Sequence, residues 1–83
     1  MRAHRMPRYF FHIWDPEKLT DEDGTPLANR EEARAHAITI AGELLRDAGR
    51  KFWSGKEWRL LVTDETGANV WRVRFLVEDS GPS

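Results

Sequence analysis

Arg8-Tyr9-Phe10-Phe11-His12-Ile13-Trp14 is the stretch that decides the fold. Side chains alternate across a strand, so Tyr9, Phe11 and Ile13 point one way and Phe10, His12 and Trp14 the other. A half-buried strand has one apolar and one polar face, whereas here both are aromatic. Both faces want cover, and the remaining sequence supplies one clear helix. A second copy of the chain is the expected cover for the other face.

The chain has 83 residues, enough for one domain with one core. Cores of this size are often supplemented by staples or by oligomerisation. Cysteine is absent, which excludes disulfides and thiolate metal sites. The formal net charge is -1, so no global field draws the protein to nucleic acid or anionic lipid. No apolar run approaches the roughly 18 residues that span a bilayer, and the N-terminus lacks the apolar stretch of a secretory signal. By elimination, the expectation is a cytoplasmic protein with no membrane contact.

Residues 1–5 are basic and without periodicity, which reads as a disordered extension, with Met6-Pro7 as the more natural start. Residues 6–78 then form a single α+β domain and 79–83 a flexible tail. Asp15 to Gly24 has loop composition, with Asp23-Gly24 as a tight turn. Thr25-Pro26-Leu27 reads as a short edge piece beside the first strand, the one setting that tolerates Pro26.

Asn29 is an N-cap, and Glu32 three residues later completes an approximate capping box. Glu31 and Glu32 suit the positive end of a helix dipole. From Arg30 to about Ala48, the residues Ala33, Ala37, Ile40, Ala41, Leu44 and Ala48 recur at helical spacing. Ile38 and Leu45 widen that stripe at its margin. Gly49 ends the helix in the C′ role, with Arg46, Arg50 and Lys51 at its negative end. Alanines on the inner stripe let the helix lie close to a sheet.

Glu57 to Thr63 and Asn69 to Val77 read as a hairpin joined through Asp64-Glu65-Thr66-Gly67. A four-residue loop that pairs Thr63 with Ala68 sets Leu60 opposite Trp71, Trp58 opposite Val73 and Val62 opposite Asn69. That register gathers Trp58, Leu60, Val62, Trp71, Val73, Phe75 and Val77 on one side. A one-residue slip would break this face. The other side carries Arg59, Leu61, Thr63, Val70, Arg72, Arg74 and Leu76. The expected fold class is α+β, a small β(β)αββ domain with one helix on one face of a three- to four-stranded, mainly antiparallel sheet. Its open face combines Phe10, His12, Leu61, Val70 and Leu76 with three arginines, a surface of the kind that marks an interface.

Met6-Pro7-Arg8-Tyr9-Phe10-Phe11-His12-Ile13, then Asp23-Gly24, the Glu32-Ala33-Arg34-Ala35-x-Ala37 helix start and the Val62-Thr63-Asp64-Glu65-x-Gly67 hairpin follow one another in a familiar order. Over roughly residues 6 to 76 this pattern resembles a group of small, mainly alphaproteobacterial proteins known as domain of unknown function 6894. The resemblance implies a compact α+β domain in bacteria and no established activity. The extension before Met6 and the tryptophans Trp53, Trp58 and Trp71 depart from that pattern. A weaker similarity, in element order alone, is to small antitoxin-type domains, although this chain lacks an appended DNA-binding element.

Asp21, Asp23, Thr25, Asn29 and Glu32 fall at positions 1, 3, 5, 9 and 12 of an EF-hand-like frame. Pro26 stands where the sharp turn demands Gly, and the preceding pattern is a strand, so a solvated acidic loop between Asp15 and Asp23 is the weightier reading. His4, His12 and His36 show no metal-ligand spacing. His12 on the open face is better read as an interface hydrogen bonder than as a base, and His36 sits on the helix flank toward solvent. Ser54, Ser80 and Ser83 lie in loops or the tail, where nothing holds them near a base. Gly24, Gly49, Gly55 and Gly67 are isolated and form no phosphate cradle. No enzyme activity, metal or cofactor is expected. Trp58 and Trp71 belong to the core side, and Trp53 lids one end of it.

Two functional readings remain. Arg59, Arg72 and Arg74 beside Phe10 and His12 resemble the basic, aromatic face on which some RNA-binding sheets stack bases. The near-neutral charge and the missing glycine-aromatic signature weigh against single-stranded nucleic acid. The favoured reading is a non-enzymatic protein-interaction module that self-associates, as a homodimer, through the open sheet face or an edge strand. Its expected contact residues are Phe10, His12, Arg59, Leu61, Val70, Arg72 and Arg74. An unidentified protein partner is the further alternative.

Overall fold

The computed structural model describes residues 6–15, 17–48 and 57–81. In chain order these form β1 (Arg8–Asp15), β2 (Glu17–Leu19), β3 (Thr25–Pro26), α1 (Arg30–Ala48), β4 (Glu57–Thr63) and β5 (Asn69–Leu76). The sheet runs β2-β1-β4-β5 with β3 also on β1, and every pairing is antiparallel. One helix on one face of such a sheet is the expected α+β fold. The expectations for residues 1–5, His4, Gly49, Arg50, Lys51, Trp53, Ser54, Gly55 and Ser83 lie outside the described residues.

β1 is central because both its faces and both its edges are used. Tyr9 and Phe11 are buried with Trp58, Leu60 and Val62 of β4. The helix answers with Ala33, Ala37 and Ala41, all buried, at a four-residue spacing that keeps them on one face. Small residues on the helix and large ones on the sheet bring the two layers close. Ile40, Leu44 and Leu27 close the rim. Ile38 is a correction to the expected stripe, since at 51% exposure it faces away from the sheet. His36 is another: its ring is half-buried and meets Phe11 edge-on at 4.9 Å.

The helix starts where its cap dictates. The Asn29 side chain accepts the Glu32 N–H at 2.9 Å, and the Asn29 carbonyl takes the Ala33 N–H. Its first turn is also tied to β5. The Trp71 indole N–H donates to the Arg30 carbonyl at 2.8 Å, while the Arg30 guanidinium covers that indole and reaches the Val70 carbonyl.

The hairpin register differs from expectation by two residues. Thr63 pairs with Asn69, Val62 with Trp71, Leu60 with Val73 and Trp58 with Phe75. Half of the shift is a five-residue connection, 64–68, in place of the expected four. Asp64 organises it, its carboxylate accepting the Thr66 and Ala68 amides and the Thr66 hydroxyl, with Gly67 at φ 88°. The other half is a bulge, which leaves Val70 as the extra residue opposite the Val62/Thr63 step. A two-residue shift preserves alternation, so the core face keeps Trp58, Leu60, Val62, Trp71, Val73 and Phe75, while β5 ends at Leu76 and the expected Val77 falls beyond it. Val70 is the exception, since the bulge turns it to pack on the core.

Candidate functional site

One edge of β1 belongs to β4, and the other is shared by β2 and β3. Ile13, Trp14 and Asp15 pair with Leu19, Lys18 and Glu17, while Arg8 and Tyr9 pair with Pro26 and Thr25. The expected loop from Asp15 to Gly24 therefore contains a strand. Between the two short strands the Phe11 amide would be left bare. The Asp21 carboxylate fills that gap, accepting the Phe11 N–H at 3.2 Å with one oxygen and the Asp23 and Gly24 N–H groups with the other.

The same loop covers part of the second aromatic face. The Asp21 N–H donates to His12 Nδ1 at 3.1 Å, which assigns the ring proton to Nε2 and makes that atom the donor to Thr63 Oγ1, also 3.1 Å away. Phe10 stacks parallel to His12. Arg8 reaches over to the Asp23 and Gly24 carbonyls. Gly24 lies on Phe10 so closely that a Cβ there would stand 2.8 Å from the ring, and its φ of 73° is one that glycine adopts freely. Thus the chain supplies from its own loop some of the cover that the sequence led us to expect from a second copy.

Burial works to raise the pKa of Asp21, but the Gly24, Phe11 and Asp23 amides and the charge of His12 outweigh it. The carboxyl is held below its ordinary value.

The far end of the face is basic and apolar. Trp14 is 40% exposed, and the Arg59 guanidinium lies over its ring at 4.4 Å. Glu57 accepts from Arg59 at 2.8 Å and sits 3.6 Å from Arg74. Such exposed pairs contribute little to stability, but they set the arginine heads in an array. A shallow cavity of about 330 Å³ lies among His12, Ile13, Trp14, Arg59, Leu61 and Arg72. No described residue offers Arg72 a hydrogen-bond or charge partner.

The predicted contact residues thus divide. His12, Arg59, Leu61 and Arg72 converge on the cavity, and Arg74 stands beside it through Glu57. Phe10 is half-buried as the floor for Gly24, and Val70 belongs to the core. Trp14 and Glu57 were missed as members of the site. Alternation along β1 already placed Trp14 with His12, so that signal was present. Asp21 was noticed only for its charge, although Asp21-x-Asp23-Gly24 is a pattern in which a side chain caps its own turn. Its carboxylate oxygens face amides, and among the described residues no three acidic or histidine side chains converge as a metal-ligand set. No described helix is long and apolar enough to cross a membrane.

Comparison with curated proteins and with solved structures brings up no match. The family model described as "Domain of unknown function (DUF6894)" matches residues 8–76. That span runs from the first residue of β1 to the last of β5 and takes in the open face with the loop that covers it, and the chain belongs to this family.

Proposed function

We propose that the protein is a non-enzymatic protein-interaction module that self-associates through the open face of its sheet. The observation that carries this reading is the grouping, around one shallow cavity, of exposed Trp14, half-buried Leu61 and Arg72, which has no hydrogen-bond or charge partner among the described residues. Aromatic and arginine side chains of this kind are the usual energetic anchors of interfaces. Leu76, 54% exposed at the end of β5, extends the apolar surface.

The face is favoured over the β5 edge by charge. Arg72 and Arg74 alternate with Val73 on that strand. Antiparallel pairing of two β5 edges centred on Arg72, Val73 or Arg74 sets arginines directly opposite one another, which is destabilising. Light scattering behind size-exclusion chromatography, over a hundredfold dilution, tests the proposal. A dimer that Leu61→Glu dissociates supports it. A dimer indifferent to Leu61→Glu, or a monomer throughout, refutes it.

Single-stranded nucleic acid is the second reading, drawn from the Arg59–Trp14 stack beside Arg72. It is weaker because Arg59 already occupies the indole face and exposed Glu22 and Asp23 flank the other end. Fluorescence anisotropy with a labelled oligonucleotide decides it, since phosphate contacts weaken steeply with salt.

A further inference from the structure

The open face is electrically polar from corner to corner. Glu22 and Asp23 are exposed on the loop that sits over Arg8 and Phe10, at the β2/β3 edge. Arg72 and Arg74 lie on β5, in line with Leu61 and Arg59 of β4 and so with His12 and Trp14 of β1. Asp21, Glu22 and Asp23 outweigh Arg8 at one corner, and Arg59, Arg72 and Arg74 outweigh Glu57 at the other, so the corners carry opposite net charge with Leu61 between them. Four residues along the strands and two strands across separate Phe10 from Arg74 by about 17 Å, and two residues and two strands separate it from Arg72 by about 12 Å, at roughly 3.4 Å per residue and 4.8 Å per strand. Both distances exceed the Debye length of roughly 8 Å at physiological salt, so screening keeps the corners from neutralising each other within one chain.

We propose that the occupant of this face is a second copy of the chain, stacked face to face about a two-fold axis along the other diagonal, so that Glu22 and Asp23 of each copy meet Arg72 and Arg74 of its partner. This rests on the self-association proposed above and adds its geometry. A two-fold axis makes every contact twice, so one acidic and one basic corner give two complementary pairings. An axis on the diagonal crosses the strands of the two sheets near a right angle, one of the two common ways in which sheets pack. An axis parallel or perpendicular to the strands leaves the acidic corner beside the basic one instead of on it. Leu61 then meets its counterpart at the centre, and Trp14, at the end of the axis, meets its own, so that burial drives association. The charged corners set the register, as rim charges do.

The test uses charge reversal and mixing on the full chain. E22R/D23R carries two basic corners and R72E/R74E two acidic ones, so each alone brings like charges together. Each is expected to weaken dimerisation by at least roughly tenfold. Mixed in equal amounts they satisfy both corners again, and sedimentation velocity should show the dimer restored. Among the described residues no hydrogen bond or ion pair is made by the side chains of Glu22, Asp23 or Arg72, and R72E alone serves as a milder second variant. Circular dichroism checks that every variant is folded.

Folded variants that dimerise like the parent, or a mixture that stays monomeric, overturn the diagonal arrangement. If Leu61→Glu still dissociates the dimer in that case, the open-face reading survives and only the geometry falls. If the parent is monomeric at every concentration, both fall, and oligonucleotide binding at the basic corner becomes the reading to pursue.

Discussion

The Asp21 carboxylate accepts the Phe11 amide at 3.2 Å, ten residues back along the chain. With that bond a side chain takes the place of a ladder partner in the break between β2 and β3, where an amide of the central strand would otherwise be unpaired. The same carboxylate anchors the Asp23 and Gly24 amides. One residue thus joins the edge of the sheet to the loop that lies over Phe10 and His12.

Asp21→Ala removes acceptors from three amides at once, and leaving amides unsatisfied costs roughly 1–3 kcal/mol in all where the site is partly wet. Asp21→Asn keeps one acceptor oxygen and should cost less. Urea unfolding with an unchanged m-value would measure both. Equal midpoints for Asp21→Ala and the parent would mean that water replaces the carboxylate without loss.

Acid sensitivity has a definite sign. The folded chain holds the Asp21 carboxyl below its ordinary value, as it does that of Asp64, where the Thr66 hydroxyl and the turn amides favour the charged form over burial. A depressed carboxyl contributes stability above its unfolded pKa of about 3.9, and that stability is lost as pH falls through the folded value. The parent should therefore lose stability below about pH 4 more steeply than Asp21→Asn does. Parallel pH profiles of the urea midpoint would contradict this account of the Asp21 bonds.

Gly24→Ala meets two obstacles. Its φ of 73° disfavours an L side chain, and the new Cβ would lie 2.7 Å from Arg8 Cγ and 2.8 Å from the Phe10 ring. We expect a loss of roughly 1–3 kcal/mol and faster hydrogen exchange of the amides at positions 21–24. Gly67→Ala, also at positive φ but in open space, should be milder. If the two cost the same, contact with Phe10 adds nothing beyond backbone strain.

Trp71→Phe keeps an aromatic ring but removes the indole N–H that the Arg30 carbonyl accepts at 2.8 Å. The expected cost is about 1 kcal/mol, with early fraying of the helix start rather than of β4. Hydrogen exchange at Glu31 to Ala33 would show it. Unchanged protection there would mean that the Asn29 cap alone holds the helix start.

Adjacent residues of β4 separate stability from binding. Leu60 is fully buried, and Leu60→Ala should cost about 2–5 kcal/mol through lost burial and the cavity left behind. Leu61 is half-buried on the opposite face, and Leu61→Ala should cost well under that while weakening self-association. Thermal melts paired with light scattering test the split, and a larger stability loss at Leu61 would invert the assignment of the two faces.

What the amino-acid sequence determined by itself is local or periodic. The helix from Arg30 to Ala48 follows from a cap and a repeat of small apolar residues, whose physics acts within one or two turns. The core face of β4 and β5 follows from alternation, which survived a two-residue register shift because its period is two. Tertiary structure alone decided that shift, since it depends on how the Asp64 turn and the Val70 bulge fit a sheet already bound to β1. It also made a strand of Glu17–Leu19, whose three residues pair only because β1 presents an open edge. The use of Asp21 as an edge partner and of Gly24 as a cover for Phe10 was settled in the same way. These contacts join residues far apart in sequence, and their energies exist only once the central strand is in place.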